Sequence, residues 1–133
     1  MDSISTDQIK ALVFDLGGVV IEIDFDRVFA LWAESSNRDI SEIRSKFSFN
    51  SFYEQHERGE IEAQEYFNSL RVSINLDIND SQFMKGWNSI YVGEVDGIAE
   101  LLAELKNKIP IYAFTNSNKA HHSVWSKMFE QTL

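Results

Sequence analysis

The sequence predicts an α/β protein in which a parallel-sheet core, incomplete on its own, carries an inserted bundle of helices. Two short apolar runs, residues 11–14 and residues 111–114, have the composition of buried strands. Each run is followed by a polar tip and then by a helical pattern. Between the runs, apolar residues recur at helical spacing, with no strand signal from about residue 25 to residue 91.

The composition limits the classes of function. The chain has 133 residues, 44% of them hydrophobic, which suffices for one packed domain or one domain carrying an insertion. Its formal charge of -9 argues against nucleic acid or an anionic membrane as a partner, because binding phosphate groups requires clustered bases. No cysteine is present, and residues 1–10 lack the apolar segment of a signal peptide. We therefore expect a cytoplasmic protein.

The first apolar run ends in a carboxylate, Asp15, followed closely by Gly17 and Gly18. A carboxylate at the end of a buried strand costs solvation free energy unless it has a partner, a metal or a chemical role. Asp15 therefore has two interpretations. It is either an acid that opens a turn, or a nucleophile or metal ligand at the carboxyl edge of a parallel sheet, where α/β folds bind ligands. The glycines allow a tight loop and the close approach of a ligand.

The middle of the chain predicts four or five short helices that form a small bundle. Asp24 or Asp26 is the expected N-cap of the first helix, and Asp80 or Ser81 is the expected N-cap of the last. Gly59 ends one of the helices between them.

The α/β pattern returns after the bundle, with a helix over residues 98–105, the second strand and a polar tip at residues 115–118. A final helix is predicted over residues 119–129. If both strands lie parallel in one sheet, the two polar tips face a common crevice, and the bundle covers it as a lid that excludes water. We divide the chain into two core segments and the cap between them: residues 1–23, residues 93–133 and, for the cap, residues 24–92.

These motifs resemble those of the haloacid dehalogenase (HAD) superfamily, which consists mostly of phosphatases with a Rossmann-type core. Its first motif is an apolar strand ending in a nucleophilic Asp, and VFDLGGV at residues 13–19 fills that place. Its second motif is an apolar strand ending in Ser or Thr, which FTN at residues 114–116 matches. Together with HERGEI at residues 56–61, these motifs are most similar to the subgroup containing alpha-D-glucose-1-phosphate phosphatase.

The resemblance implies a Mg2+-dependent phosphatase that acts on a small phosphorylated metabolite, for example a sugar phosphate, through an aspartyl-phosphate. Asp15 would attack phosphorus, and its carboxylate together with the Gly17 carbonyl oxygen would hold Mg2+. Thr115 would be the second catalytic residue. With Gly18 and Asn116, it would also bind the phosphate oxygens of the substrate.

Two departures from the family pattern matter. Most phosphatases of this superfamily carry a second Asp two residues after the nucleophile, where this chain has Gly17. The acid that protonates the leaving group must then be water, a cap residue or the substrate. The family's third motif, a Lys, and its fourth, an acidic cluster, lie downstream of the second motif, whereas this sequence stops at Leu133. We therefore expect either a truncated hydrolase or a homo-oligomer in which another subunit completes the sheet.

Three alternative functions stay open at the level of sequence. The chain could be a catalytically incomplete remnant that serves as a binding or assembly module. It could have haloacid dehalogenase-like activity, since the dehalogenases also lack the second Asp. A receiver-like domain phosphorylated on an Asp is less consistent with the sequence, because Asp15 ends the first strand and a long helical insert follows it.

Other residues with chemical potential fit structural roles. His121 and His122 are adjacent and so point about 100° apart on a helix, which disfavours a metal pair and predicts surface histidines. His56, Glu57 and Arg58 lie in the predicted cap, a place that suits substrate selection. The alternative is a solvated helix end with Glu57 and Arg58 exposed. The tryptophans follow apolar periodicity and are expected in the core: Trp32, Trp87 and Trp125.

Overall fold

The computed structural model describes residue 3 and residues 5–133 of the chain. Residues 1, 2 and 4, which belong to the predicted polar lead, lie outside the described residues. After a short 3-10 turn at Thr6–Gln8, the described residues form four strands and seven α-helices. The strands are β1 (Leu12–Phe14), β2 (Ile21–Ile23), β3 (Tyr91–Glu94) and β4 (Ile111–Ala113). The helices are α1 (Phe25–Ser36), α2 (Ile40–Lys46), α3 (Ser51–Glu57), α4 (Ala63–Ser73), α5 (Asp80–Asn88), α6 (Ile98–Leu105) and α7 (Lys119–Met128).

The two predicted strands pair with each other in parallel. Leu12 of β1 lies opposite Ile111 of β4, and Phe14 lies opposite Ala113. The pairing continues past the strand ends, because the amide of Phe114 donates to the Phe14 carbonyl at 2.9 Å. The α/β fold with a parallel sheet is therefore confirmed, and the polar tips that follow β1 and β4 leave the same edge of the sheet.

A second two-stranded sheet joins the ends of the helical insert and was not predicted. β2 and β3 pair antiparallel, with Ile21 opposite Glu94 and a bulge between Glu22 and Ile23. The prediction of no strand up to residue 91 misses the start of β3. Strands of three and four residues, one of them containing Gly93, give too little alternation to be recognised from sequence.

The insert contains five helices, as predicted, and their caps explain where they begin. The Asp24 side chain accepts a hydrogen bond from the amide of Asp26 and caps α1, in agreement with one of the two predicted candidates. The α5 helix begins one residue earlier than expected. Its N-cap is Asn79, whose side chain accepts from the Gln82 amide while the Asn79 amide donates to the Gln82 side chain in a capping box. The assignment of the cap to Asp80 or Ser81 was therefore wrong.

Stacked aromatic rings hold α1, α4 and α5 together. Trp32 of α1 and Trp87 of α5 are 0% and 1% exposed, and their ring centroids lie 6.1 Å apart. The Trp32 indole N–H donates to the Phe83 carbonyl at 3.1 Å, which satisfies the polar end of a buried side chain. The core positions predicted for Trp32 and Trp87 are confirmed.

One face of the β1–β4 sheet is exposed, which differs from the buried strands that the sequence predicts. Val13 is 65% exposed, Tyr112 58% and Phe114 76%. On the other face, Phe14 packs against the core. Apolar strands of a parallel sheet are usually buried on both faces. In this sheet the described residues cover one face.

The division into core segments 1–23 and 93–133 and a cap 24–92 stays a prediction. Within it, the β2–β3 sheet lies where the chain enters and leaves the helical insert. No helix in the described part of the chain is long and apolar enough to cross a membrane.

Substitution of Gly86 by Ala is expected to destabilise the fold. A methyl group at this position in α5 would collide with the indole ring of Trp32, which cannot shift without losing its bond to Phe83. We expect a loss of about 1–3 kcal/mol in the free energy of unfolding, measured by urea denaturation, despite the better helix propensity of Ala. Gly93→Ala is the matched control, because a methyl group there has no neighbour within 4 Å. Equal stability of the two variants would contradict the close α1–α5 packing.

Candidate active site

The loop after β1 is a tight turn built around the Leu16 carbonyl oxygen. This oxygen accepts hydrogen bonds from the amides of Val19, Val20 and Ile21, at 3.1, 2.9 and 2.8 Å. Gly18 has a φ of 78°, a conformation that favours glycine, and its amide donates to the Ile21 carbonyl. The turn keeps the chain close to the sheet edge.

Asp15 opens this loop with its side chain exposed to solvent. One carboxylate oxygen accepts from the Leu16 amide at 2.8 Å, which leaves the other oxygen for a ligand. No hydrogen bond from the described residues reaches the Gly17 carbonyl oxygen. The loop therefore presents two hard oxygen donors, two residues apart along the chain.

The loop after β4 is a polar tip that runs into α7. Thr115 is half-buried and Asn116 is exposed. The Ser117 hydroxyl accepts a hydrogen bond from the Trp125 indole N–H at 3.0 Å, and the Asn118 side chain caps α7 by accepting from the amide of His121. The tip is thus fixed to the first two turns of the helix that follows it.

A cavity of about 120 Å³ lies between the two loops and the helical insert. Of the residues predicted to form the site, Gly17, Thr115 and Asn116 line it. Asp15 and Gly18 adjoin the lining residues Leu16 and Gly17 in sequence but do not line the cavity themselves. The parallel register of β1 and β4 thus places the two predicted motifs at one edge of the sheet, whereas their catalytic roles stay a prediction.

The insert contributes two residues of α3 to the cavity: Glu57, whose place in the cap suits substrate selection, and Tyr53, for which the sequence predicts no role. Glu57 is half-buried, and its carboxylate accepts from the Asn118 side-chain amide at 2.8 Å. The expectation that Glu57 is solvated is therefore wrong, whereas Arg58 is exposed and pairs with Glu60 at 2.6 Å. Burial, together with the nearby Glu57 carboxylate, raises the pKa of Tyr53 to about 12, so Tyr53 remains a hydrogen-bond donor. HERGEI at residues 56–61 was the only sequence signal for these contacts.

His121 of α7 also lines the cavity and is half-buried, contrary to the prediction of a surface histidine. Its ring stacks on Trp87 with centroids 5.0 Å apart and meets the Tyr91 ring edge-on. The Nδ1 atoms of His121 and His56 have no hydrogen-bond partner among the described residues. Desolvation lowers the pKa of both imidazoles, and that of His121 falls to about 4, so both are neutral at pH 7. Trp125, which the sequence predicts in the core, is half-buried: it packs against the core and lines the same cavity.

The oxygen atoms at the loop of Asp15 are of the kind that binds Mg2+, although they are few. The Asp15 carboxylate and the Gly17 carbonyl are oxygen ligands of the kind Mg2+ takes, and this ion commonly keeps several waters and substrate phosphate oxygens in its coordination sphere. The described residues contain no group of three or more His, Cys, Asp or Glu side chains placed to hold a metal. A Mg2+ ion at this loop would therefore depend on water and phosphate for its remaining ligands.

The chain is similar to known proteins and spans a little over half of the length of each. No protein-family model matches the chain. A HAD family enzyme from Bacteroides thetaiotaomicron, solved in complex with magnesium and inorganic phosphate, has a TM-score of 0.72 and 30% identity, over 89% of this chain and 58% of that one. A predicted HAD-like family hydrolase from Porphyromonas gingivalis has a TM-score of 0.64 at 17% identity, over 84% of this chain and 53% of that one, and shows the fold alone.

A curated protein matches at a similar extent. D-ribitol-5-phosphate phosphatase from Bacteroides thetaiotaomicron is 23% identical over 111 residues, which are 83% of this chain and 53% of that protein. The fold is therefore that of HAD-like hydrolases, and a named phosphatase is among the similar proteins. The narrower likeness to alpha-D-glucose-1-phosphate phosphatases is not confirmed by these matches.

The stability of the chain should depend on pH through His121. Its pKa falls from an ordinary value of 6.5 to about 4 on folding, so stabilisation by the neutral ring is complete above pH 6.5 and is lost as the pH falls toward 4. When the pH falls from 7 to 5, the free energy of unfolding of the parent chain should decrease by about 2 kcal/mol more than that of His121→Gln, measured by urea denaturation. His122→Gln is the matched control, because that side chain is exposed. An identical pH dependence in His121→Gln and the parent would contradict the burial of His121.

Proposed function

We propose that the chain provides the nucleophile, the phosphate-binding loop and the cap of a Mg2+-dependent phosphatase that acts on a small phosphorylated metabolite. The observation that supports this most is the parallel register of β1 and β4, which brings the loops of Asp15 and Thr115 to one sheet edge beside a cavity. The relative named as a D-ribitol-5-phosphate phosphatase supports a phosphorylated sugar or sugar alcohol as the substrate class. A cytoplasmic location remains part of the proposal.

In this mechanism the free carboxylate oxygen of Asp15 attacks phosphorus, and the bond between phosphorus and the alcohol oxygen breaks. The aspartyl-phosphate is then attacked by water, which releases inorganic phosphate and restores the carboxylate. The hydroxyl of Thr115 and the backbone amide of Asn116 would hold the phosphoryl oxygens as charge develops. The Gly18 amide already donates to the Ile21 carbonyl, so Gly18 would contribute by allowing the close approach of the phosphoryl group. The Asp15 carboxylate and the Gly17 carbonyl would hold Mg2+, which neutralises phosphate charge when it is bound.

The proton for the leaving alcohol must come from outside the loop of Asp15. Gly17 has no side chain that could supply it, and His121 is neutral because its pKa falls to about 4. Water, a cap residue or the substrate itself remain the candidate donors. Esters whose alcohols leave readily without protonation should therefore be the easiest substrates to turn over.

Hydrolysis of an aryl phosphate, measured with and without Mg2+, tests the role of Asp15. Asp15→Asn should lower kcat by at least about a thousandfold, because an amide cannot form the covalent intermediate. Asp24→Asn is the matched control, since Asn caps α1 as well as Asp does. Removal of Mg2+ by a chelator should abolish turnover by the parent chain.

Two outcomes would contradict this proposal in different ways. Activity that survives Asp15→Asn would refute the nucleophile. No turnover by the parent chain, despite binding of inorganic phosphate, would favour a remnant that binds phosphorylated ligands without hydrolysing them. Release of halide from a haloacid, without phosphatase activity, would favour the dehalogenase alternative.

The association of two copies through the β1–β4 sheet is a separate part of the proposal. Val13, Tyr112 and Phe114 expose apolar surface on one face of this sheet, and such surface is commonly covered by a partner. Light scattering should therefore give a mass of about twice one chain, and Tyr112→Lys should return it to one chain, because an added charge opposes burial. A parent mass of 15.3 kDa, that of one chain, would contradict the association.

A further inference from the structure

The cavity at the sheet edge has a second cavity beside it, of about 480 Å³, on the outer side of α3. The outer cavity lies between the turn that follows α3 and the start of α7, where Lys119 and His122 line it. Glu57 and Ser117 line both cavities, whereas Asn118 lines only the outer one. The boundary between the two cavities therefore runs through Glu57 and the Ser117–Asn118 segment.

A single hydrogen bond spans this boundary. The Asn118 side-chain amide donates to the Glu57 carboxylate at 2.8 Å, and the two residues are 61 positions apart in the chain. Asn118 is held in place on its other side, because its side-chain oxygen accepts from the amide of His121 at 3.0 Å as the N-cap of α7. The bond thus joins the helical insert to the segment that follows β4, and it does so beside Thr115 and Asn116.

We propose that the Glu57–Asn118 hydrogen bond is a gate that sets the size of the leaving group this site accepts. The proposal rests on the function proposed above, and it places the leaving alcohol in the inner cavity, beside the loops of Asp15 and Thr115. With the bond intact, the inner cavity has about 120 Å³ and is separated from the outer cavity of about 480 Å³, so it offers the smaller space for an alcohol. When the bond is broken, the inner cavity opens into the outer one and a bulkier alcohol fits.

Glu57 is a specificity-determining residue in this proposal, not an acid or a base. Its charge alone would repel the phosphoryl group of every ester to a similar degree, and would not discriminate between leaving groups. A comparison of two esters with the same chemistry and different size therefore isolates the gate from electrostatic effects. Phenyl phosphate and 2-naphthyl phosphate are such a pair.

The test uses two variants that break the bond from opposite sides. Glu57→Ala removes the acceptor, whereas Asn118→Ser removes the donor and keeps a good N-cap for α7. Both should raise the ratio of kcat/KM for 2-naphthyl phosphate over phenyl phosphate by at least about tenfold. Glu57→Gln retains an acceptor for Asn118 and should keep the parent ratio, as should Glu54→Ala on the exposed side of α3.

A second readout does not depend on turnover. Trp125 lines the inner cavity, whereas Trp32 and Trp87 are 0% and 1% exposed, so acrylamide quenching of tryptophan fluorescence reports mainly on Trp125. The quenching constant should increase in Glu57→Ala and Asn118→Ser, and stay at the parent value in Glu57→Gln. Circular dichroism at the same temperature verifies that the variants are folded.

The two measurements separate failure of the gate from failure of the proposed function. If Asp15-dependent turnover is present and neither the size ratio nor the quenching constant changes, the gate is refuted. If the chain shows no Asp15-dependent turnover, the proposed function is refuted. The quenching constant alone then decides whether the gate exists. In that case a higher constant supports closure of the cavity by the Glu57–Asn118 bond, and an unchanged constant refutes it.

Discussion

The parallel pairing of β1 and β4 is the constraint on which the rest of the structure depends. Three residue pairs, from Leu12 with Ile111 to Phe14 with Ala113, connect segments separated by the whole helical insert. Parallel strands require a long crossover, and here the insert, β3 and α6 together provide it. Because the pairing fixes the register, Asp15 and Thr115 emerge at one edge of the sheet, and a shift of one residue would turn every side chain to the opposite face.

The helical insert is tied to this edge through aromatic packing and one polar contact. Trp32 stacks on Trp87, and Trp87 stacks on His121, so the core of the insert continues into a wall of the cavity. The Glu57–Asn118 hydrogen bond adds a directional link between the insert and the segment that follows β4. Burial that stabilises the insert therefore also positions the residues that face the cavity, and explains why His121 is held neutral there.

The sequence reveals the local elements more reliably than the contacts between them. Residues 11–14 and 111–114 carry a strong strand composition, and α6, α7 and the Asp24 cap follow from local patterns. The β2–β3 pairing, the burial of His121 and the contact of Glu57 with Asn118 depend on residues far apart in the chain, so neither periodicity nor charge reveals them. The motifs at Asp15 and Thr115 identify the site's two loops, but the third side of the cavity comes from α3 and needs the structure.

The central claim is that the loops after β1 and β4 form one phosphate site. Titration of the isotopically labelled chain with inorganic phosphate in the presence of Mg2+, followed by amide NMR, tests it most directly. The amides of residues 16–18 and of residues 115–117 should shift together, with one dissociation constant for both loops. A response confined to one loop, or two loops that saturate at different phosphate concentrations, would contradict it.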